Sequence, residues 1–426
     1  MKILYIHQYF TTRDGAQGTR SYEFAKHLVK EGHEVTILTG DSALQSLEPT
    51  EEGTFTRRYL IDGIHVIAVH NSYSNYMSFF RRALSFFYFV LFSSIISLTL
   101  KKQDIVLATS TPLTVVIPAL LIKKLKRVPF VFEVRDLWPE APIQIGAIRS
   151  PLLIFLLRFL EKKAYKEAEH VVALSPGMAE GVRQTGIHPD KVSMIPNCSD
   201  LDLFSPDKVD PSMVAEFTSR HGLEGKLVIT HGGSMGIANG LEYVVEAARL
   251  LAEQQETTIV FVLAGDGKTK PELEAFCRMH ALSNVMFIGS IPRKEMPVLL
   301  SASHLTITSF QDLPILTTNS PNKFFDSLAA GKPIIVNSAG WTKEIVEKHG
   351  AGFFVDPKKP EELASLLIQV KNGSYDLTAM GVHARALAQD TYERIKLATQ
   401  MEAILGKAVS RLRVVSPNRR VSRNEG

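Results

Sequence analysis

Two residues that could bind a phosphorylated ligand lie one helical turn apart in the stretch SPNKFFDSLAAGKPII, residues 320–335. Ser320 is a good N-cap residue and Pro321 suits the first helical position, so the stretch predicts a helix that begins there. Lys323 then falls in the first turn, where the helix dipole disfavours a cation by about 0.3–1 kcal/mol unless an anion is bound. Asp326 lies on the same face and could accept hydrogen bonds from hydroxyl groups. The alternative is a Lys–Asp pair on an ordinary surface.

Two glycine-containing loops could bring backbone amides close to a charged group. In RDGAQGTR, Gly15 and Gly18 would allow that approach and Arg20 would add a cation, although a simple tight turn explains the loop equally well. In HGGSMGIANG, residues 231–240, four glycines suggest the same, and a surface loop is the alternative. Neither loop has the GxGxxG dinucleotide pattern or a Walker lysine followed by Ser or Thr, which argues against a P-loop nucleoside triphosphatase.

A third chemically interesting segment is FEVRDLWPE, residues 132–140. Arg135 and Asp136 follow a predicted strand at the end where parallel sheets bind ligands. Adjacent side chains on extended backbone point in opposite directions, so one of the two is expected to face a ligand. A structural ion pair is the alternative.

The elements that must position these residues form two series of short strands and helices. Continuous β-branched runs, rather than alternating ones, predict parallel sheets covered on both faces. The pattern stops after VSMIPNCSDLDLF, a polar linker is predicted through Ser219, and the pattern then restarts. The predicted strands are KILYIHQ, HEVTILTG, IHVIAVH, DIVLATS, PFVFEVRD and HVVALS, then KLVITHGG, TIVFVLAGDG, NVMFIGS, HLTITSF, KPIIVNS and GFFVD.

Length and composition fit this two-domain interpretation. The chain has 426 residues, 45% of them hydrophobic, and a net charge of +4, which is too weak to indicate nucleic-acid binding. Two distant cysteines suggest neither a disulfide framework nor a zinc site, and fit a reducing cytoplasm. The opening MKILYIHQYF has no signal-peptide pattern, because His7 and Gln8 break its apolar run.

Residues 79–102, FFRRALSFFYFVLFSSIISLTLKK, complicate that interpretation. No charged residue occurs from Ala83 to Leu100, and basic pairs flank the run on both sides. Three interpretations are open: a buried helix, a helix lying in the membrane interface, or a membrane span near the lower limit of about 17 residues. Four serines and a threonine, and the strand that follows at once, argue against a span.

At these motifs the chain resembles a family 4 glycosyltransferase of the GT-B fold, particularly the branch that includes bacterial N-acetyl-fucosamine transferases of surface-polysaccharide synthesis. The resemblance covers almost the whole chain and rests on the order and spacing of several pieces. The pieces are HQYF followed by GTRSYEFAKHLVKEGHEVTILTG, FEVRDLWPEAPIQIG, HVVALSPGMAEGV, VSMIPNCSDLDLF, HGGSMGIANGLEYVVEAA, VLAGDGKTKPELE, SPNKFFDSLAAGKPIIV and GWTKEIVEKHGAGFFVDP.

The resemblance implies two doubly wound, Rossmann-like α/β domains that face a cleft. Residues 1–203 would bind the acceptor, residues 204–391 the nucleotide-sugar, and a helix at about 392–410 would cross back to the first domain, followed by a basic, disordered tail at 411–426. The implied donor-binding residues are Gly233, Ser234, Asn239, Gly265, Asp266, Lys268, Asn322, Lys323 and Asp326, and the acceptor-side glycine loop contributes Gly15, Gly18 and Arg20.

The chain departs from the family pattern at several charged positions. The family usually has two glutamates separated by seven residues; the second, which holds the ribose, matches Asp326, whereas the first falls at Thr318. At the two positions where the family usually has an Arg and a Lys that contact the diphosphate, this chain has Ser234 and Asn239. Arg135 replaces a histidine. Lys323 is therefore expected to take over the charge that stabilises the diphosphate.

The family resemblance also implies a reaction that retains the anomeric configuration and needs neither metal nor cofactor. Lys323, Arg135 and Asp136 are the catalytic candidates, with the amides of Gly233 and of Asn322–Lys323 stabilising the leaving diphosphate. The sequence shows no convincing carboxylate pair for double displacement, so attack from the front face is expected. The donor would be UDP-linked and the acceptor a polyprenyl-diphosphate-linked saccharide at the inner face of the cytoplasmic membrane.

Two other classes of protein stay open. A UDP-N-acetylglucosamine 2-epimerase shares this architecture, and Arg135–Asp136 would be its acid/base candidates. A membrane-associated assembly partner without catalytic activity is the other possibility.

Overall fold

The chain divides into two units. The computed structural model describes residues 1–15, 18–71 and 77–415. One unit contains residues 1–12, 19–196 and the chain from 395 onward, and the other contains 13–18 and 197–394. The break between 196 and 197 precedes the predicted boundary at 203/204 by seven residues.

The first unit is built around one mixed sheet with the strand order β3-β4-β5-β2-β1-β6-β7-β8-β9. β3 and β4 pair antiparallel, β4 pairs antiparallel with β5, and the other neighbours are parallel. Its strands are β1 (Lys2–Ile6), β2 (Glu34–Gly40), β3 (Glu51–Glu52), β4 (Thr56–Ile61), β5 (Ile64–Val69), β6 (Ile105–Thr109), β7 (Phe130–Val134), β8 (His170–Ala173) and β9 (Val192–Met194). Its helices are α1 (Arg20–Lys30), α2 (Phe79–Thr99), α3 (Val116–Lys126), α4 (Glu140–Gln144), α5 (Pro151–Glu167) and α6 (Pro176–Gln184).

The second unit has a six-stranded sheet with the order β12-β11-β10-β13-β14-β15, and every pair in it is parallel. Its strands are β10 (Leu227–Gly232), β11 (Ile259–Ala264), β12 (Val285–Gly289), β13 (Leu305–Thr308), β14 (Ile334–Val336) and β15 (Gly352–Phe354). Its helices are α7 (Pro211–Arg220), α8 (Glu242–Glu253), α9 (Lys270–Met279), α10 (Met296–Ser301), α11 (Asn322–Ala329), α12 (Trp341–His349), α13 (Pro360–Lys371) and α14 (Leu377–Asp390). The last helix, α15, spans Arg394–Val415.

These sheets confirm the predicted doubly wound fold. All twelve predicted apolar runs form strands, because continuous Ile, Val, Leu and Phe suit strands that are covered on both faces. Ile229 of β10, for example, lies between Phe261 of β11 and Leu305 of β13, and all three side chains are buried. In both units the loops that follow the parallel strands emerge at one edge of the sheet, where helices begin.

Two predictions about the connecting segments were wrong. The predicted linker through Ser219 contains helix α7, whose start is capped because the Asp210 carboxylate accepts a hydrogen bond from the Ser212 amide at 2.8 Å. The tail predicted to be disordered from residue 411 is helical as far as Val415, and residues 416–426 lie outside the described part of the chain.

An ion pair inside the first unit fixes the start of α1 against β7. Arg20 donates from Nε to Glu133 Oε1 at 3.0 Å, and both side chains are fully buried. Thr109 donates to the other carboxylate oxygen of Glu133 at 2.6 Å. Burial would raise the pKa of Glu133, but Arg20 and Arg135 hold it below its ordinary value. The structure therefore gives Arg20 a structural ion pair rather than the exposed position that binding a ligand would need.

We expect Arg20→Met to lower the free energy of unfolding of the first unit by about 3–5 kcal/mol, because it leaves the buried charge of Glu133 without its partner. The chain has two tryptophans, one in each unit, so a Trp341→Phe background makes Trp138 fluorescence a reporter of the first unit during urea unfolding. The control is Lys26→Met, which removes an exposed pair with Asp62 and should cost about 1 kcal/mol or less. Equal effects of the two substitutions would contradict the prediction.

Candidate active site

Two glycine loops of the second unit touch through their backbones at the carboxyl end of the sheet. Gly233 follows β10 and Gly265 follows β11, with φ angles of +146° and +144°. A Cβ atom at Gly265 would lie 1.8 Å from the carbonyl oxygen of Gly233, so no other residue fits there. Hydrogen bonds from the Gly233 amide to Ala264 and from the Met235 amide to Asp266, at 2.8 and 2.9 Å, join the loops.

The side chain of Lys323 reaches the first of these loops. Its Nζ donates to Asn239 Oδ1 at 2.8 Å, and Asn239 Nδ2 donates to Ser234 Oγ at 3.3 Å. A Cβ atom at Gly233 would lie 3.2 Å from Lys323 Cε, so the glycine also leaves room for the lysine. The structure thus brings four of the predicted donor-binding residues together around one ammonium group.

Lys323 is surrounded by neutral partners. Besides Asn239, its Nζ lies 3.5 Å from Nε2 of His231 and 5.9 Å from the ring centre of Phe310. Burial lowers the pKa of Lys323 to about 7. Burial, followed by the nearby Lys323, lowers the pKa of His231 well below its ordinary value, so the imidazole is neutral. A bound anion would supply the counter-charge that these neighbours lack.

His231 is a site residue that the sequence did not reveal. Its side chain is fully buried at the end of β10, and its Nδ1 has no hydrogen-bond partner within residues 1–15, 18–71 and 77–415. The predicted strand run included this histidine, but nothing in the local pattern indicated that it meets a lysine 92 positions away.

Asp326 pairs with a different cation than expected. Both of its carboxylate oxygens accept hydrogen bonds from the guanidinium of Arg293, at 2.8 and 2.6 Å, and only about a tenth of each side chain is exposed. Burial raises the pKa of Asp326, and Arg293 opposes that shift. The Lys323–Asp326 surface pair considered as the alternative is not what forms. Arg293, which also lies over the ring of Phe204 at 5.1 Å, had no recognisable signal in the sequence.

The start of α11 differs from the prediction by one residue. The helix begins at Asn322 with Pro321 as its N-cap residue, and Ser320 does not cap it. The Ser320 hydroxyl instead accepts a hydrogen bond from the Asn197 amide at 3.2 Å, while Asn197 Nδ2 donates to the Ser320 carbonyl at 2.5 Å. These two hydrogen bonds fix the segment before the helix, and the first turn has no side-chain cap.

One predicted amide role must be corrected. The amide of Gly233 donates to the Ala264 carbonyl, so it is engaged within the sheet edge and cannot also hold a diphosphate. Two further residues predicted to bind the nucleotide-sugar follow Gly265. Asp266 is partly buried and accepts a hydrogen bond from the Gly267 amide at 2.9 Å, whereas Lys268 is exposed. Thr318, which the family resemblance predicts in place of the first glutamate, donates to the Ile315 carbonyl at 2.7 Å.

The first unit has its own polar cluster at the carboxyl ends of β1, β6 and β7. Arg135 Nη1 lies 3.2 Å from Nε2 of His7, whose Nδ1 lies 2.7 Å from the Ser21 hydroxyl. Burial and then Arg135 lower the pKa of His7 well below its ordinary value, so Nε2 accepts from Arg135. Asp136 turns the other way and accepts from the Thr111 hydroxyl at 2.8 Å, and its burial raises its pKa.

The remaining predicted residues, Gly15 and Gly18, lie in the loop after β1. This loop, residues 13–18, groups with the second unit although it follows a strand of the first. Residues 16 and 17 between the two glycines lie outside the described part of the chain. The role assigned to the two glycines stays a prediction.

Comparison with known families accounts for both halves of the chain. Residues 15–198 match the family model of the glycosyl transferase 4-like domain, and residues 215–386 match that of glycosyl transferases group 1. The chain belongs to the glycosyltransferases. The loops around Lys323 and the polar cluster around Arg135 therefore lie in the second and first of two glycosyltransferase domains, respectively.

Individual relatives of this glycosyltransferase are distant. The probable glycosyltransferase WbjE of Pseudomonas aeruginosa is 23% identical over 306 residues, which cover 71% of this chain and 74% of that protein. A UDP-Gal:alpha-D-GlcNAc-diphosphoundecaprenol alpha-1,3-galactosyltransferase of Escherichia coli is 24% identical over 193 residues, 44% of this chain and 47% of that protein. The Anabaena protein HepE, solved with UDP and glucose, superposes with a TM-score of 0.69 at 19% identity, covering 95% of this chain and 99% of that one. This likeness shows the GT-B fold.

The lowered pKa of Lys323 predicts how stability changes with pH. Between about pH 7 and the ordinary lysine pKa of 10.5, the unfolded chain holds a proton that the folded chain lacks, so raising the pH favours the folded state. We therefore expect Lys323→Met to stabilise the second unit most below pH 7, with an advantage over the unsubstituted protein that shrinks toward pH 10. The measurement is thermal unfolding at pH 6.5, 8 and 9.5, followed by Trp341 fluorescence in a Trp138→Phe background.

The matched control for this experiment is Lys348→Met, since Lys348 is exposed on α12 of the same unit. Its difference from the unsubstituted protein should stay constant across the same pH range. A difference between the unsubstituted protein and Lys323→Met that does not vary with pH would show that the ammonium group is not desolvated.

Proposed function

We propose that the protein is a retaining, metal-independent glycosyltransferase that acts in the synthesis of a cell-surface polysaccharide such as O-antigen, capsule or exopolysaccharide. It transfers a sugar from a UDP-linked donor to a polyprenyl-diphosphate-linked saccharide. The sugar we expect is an N-acetylated amino sugar such as N-acetyl-fucosamine, in line with the branch that the motifs resemble. The enzyme works at the inner face of the cytoplasmic membrane.

The observation that carries the proposal is the position of the Lys323 ammonium group. It lies 2.8 Å from Asn239, in the loop where the family resemblance implies charged residues for the diphosphate and this chain has Ser234 and Asn239. A lysine from α11 thus reaches the loop that lacks its own cations. Its neutral neighbours leave the charge free to balance a phosphate.

The donor would bind through three kinds of contact. Lys323 and the first-turn amides of α11, at Asn322 and Lys323, would hold the diphosphate. Asp326, fixed by Arg293 through one lone pair on each oxygen, keeps two further acceptor positions for the ribose hydroxyls. The backbone contact between Gly233 and Gly265 would hold the loop of residues 231–240 in place for the donor.

The reaction that suits this arrangement is attack from the face that the diphosphate leaves. The bond from the anomeric carbon to the diphosphate oxygen breaks, the acceptor hydroxyl oxygen bonds to that carbon, and the hydroxyl proton passes to the departing phosphate oxygen. Negative charge grows on the diphosphate as the bond breaks, and the lysine ammonium stabilises that charge. No carboxylate nucleophile is required.

The acceptor would bind to the first unit, where Arg135 and Asp136 face different partners. The similarity to an enzyme named for a diphosphoundecaprenol-linked acceptor supports a lipid-linked substrate. A cationic Arg135 would suit the diphosphate of such an acceptor, and Asp136 would suit one of its hydroxyls.

We expect Lys323→Ala to lower kcat by about a hundredfold to a thousandfold, which is the usual loss when one group that stabilises the charge of a transition state is removed. The assay measures free UDP released from the UDP-sugar in the presence of acceptor. Lys348→Ala is the control for removing a lysine from the same unit, and unchanged Trp341 fluorescence would show that the fold persists. Near-normal turnover of a folded Lys323→Ala protein would remove Lys323 from the mechanism.

Binding and reaction assays separate this function from its alternatives. We expect calorimetric binding of UDP, and stabilisation of about 2.7 kcal/mol by the correct nucleotide-sugar at a concentration of 100 times its dissociation constant, which a thermal-shift screen of donors would detect. UDP release should require acceptor. Conversion of UDP-N-acetylglucosamine without acceptor would indicate an epimerase, and absence of UDP binding would indicate an assembly partner without catalytic activity.

A further inference from the structure

Helix α2 turns its serines inward and leaves a stripe of large apolar residues exposed. Phe80, Leu84, Phe87, Leu91 and Ile95 form one stripe along the helix, and their exposed fractions run from 44% to 76%. The opposite face contains Ser85, Ser93 and Ser97 together with Phe89, all buried. A helix that faced water would have the reverse arrangement, with serine outside and phenylalanine inside.

The buried face of α2 is packed and satisfied, so the helix is part of the unit. Phe89 and Ser93 are fully buried, and the Ser85 hydroxyl donates to Asn71 Oδ1 at 2.9 Å. Lys126 of α3 donates to the carbonyl of Leu100 just beyond the end of α2 at 2.6 Å. Within the described ranges α2 is the one helix with the length and composition of a membrane span, but leaving the unit to cross a bilayer would break these contacts.

A second helix of the same unit has an exposed apolar stripe of the same kind. On α5, Leu152, Phe155, Leu156 and Phe159 recur at helical spacing with exposed fractions of 51–68%. The same face continues one turn later with Lys162 and Lys163, both exposed. An apolar half followed by a basic half on one helix face suits a boundary between hydrocarbon and headgroups.

The two stripes belong to one layer of the first unit. The connection β5–β6 passes β2 and β1, and the connections β6–β7 and β7–β8 move to the next strand. All three run in the same direction across the sheet, so their right-handed crossovers place α2, α3 and α5 on one face of it. The segment after β7 joins the two outer helices, because the Trp138 ring centre lies 6.4 Å from that of Phe86 and Glu140 lies 3.3 Å from Arg158. This segment begins directly after Asp136.

The charge of this layer matches an anionic surface. Residues 79–102, 116–127 and 149–167 contain thirteen lysines and arginines against two glutamates, a net charge of +11, whereas the whole chain has +4. The excess charge of these three segments is therefore balanced by acidic residues elsewhere. Apolar side chains combined with such an excess favour anionic lipid over another apolar protein surface.

We propose that the exposed stripes of α2 and α5, with the basic residues beside them, form one surface that docks on an anionic lipid bilayer without crossing it. The surface begins at the N-terminal ends of both helices, at the edge of the sheet where Arg135 and Asp136 are found, and extends along the helices away from that edge. This proposal rests on the proposed function and extends it, because a lipid-linked acceptor would reach that edge of the sheet from the bilayer.

The test is flotation of the full chain with vesicles of phosphatidylcholine alone or with 30% phosphatidylglycerol. We expect binding to the anionic vesicles, and a loss of at least tenfold in the partition coefficient for Phe155→Ser/Phe159→Ser and for Phe87→Ser/Leu91→Ser. Lys162→Gln/Lys163→Gln should weaken binding to the anionic vesicles by about fivefold per charge. The control is Met279→Ser/Val382→Ser, which removes two exposed apolar side chains of the second unit and should change nothing.

Each possible result decides the matter. Binding by the α5 variants equal to that of the unsubstituted protein would overturn the two-helix surface, and so would absence of flotation of the unsubstituted protein. A dimer in light scattering that the same substitutions dissociate would make a second copy the occupant instead. UDP binding, measured on every variant, separates this from the proposed function: vesicle binding without UDP binding would refute the glycosyl transfer and leave the surface.

Discussion

The carbonyl oxygen of Gly233 occupies the space that a side chain at Gly265 would need, and this contact constrains the whole site of the second unit. It lets the loops after two neighbouring strands close on each other, joined by backbone hydrogen bonds. Those bonds use the Gly233 amide, so the loop cannot hold a phosphate through that group. The Lys323 side chain extends from α11 toward this loop, so the positive charge of the site comes from a different element.

In the second unit Lys323 and Asp326 do not pair with each other. Lys323 and Asp326 share a helix face, yet the lysine meets Asn239 while the aspartate is held by Arg293. Had they paired, the ammonium group would already have a counter-charge and gain less from an anionic ligand. Arg293 therefore has an indirect effect on the cation, because it occupies the carboxylate that would otherwise neutralise it.

Local patterns predicted the sheets well because a buried parallel strand needs nothing but a continuous apolar run. The site was predicted in part: Lys323, Ser234 and Asn239 were named from a family motif, and they do meet. Arg293 and His231 were missed, since their roles depend on partners 33 and 92 positions away. The cap at Ser320 was wrong for the same reason, because its hydroxyl bonds to a distant amide. Pairing between remote residues has no local signature.

Helix α2 shows what composition leaves open. Hydropathy sums the residues of a helix without regard to the direction in which they point. It therefore does not distinguish a core helix from an interfacial helix or a membrane span. The fold separates them because one face must pack on the sheet, and the small serines let that face approach closely while their hydroxyls bond within the unit. Phenylalanines and leucines are left outside, where water would disfavour them. Covering such a surface with apolar material would be favourable, and its basic border makes an anionic bilayer the better fit.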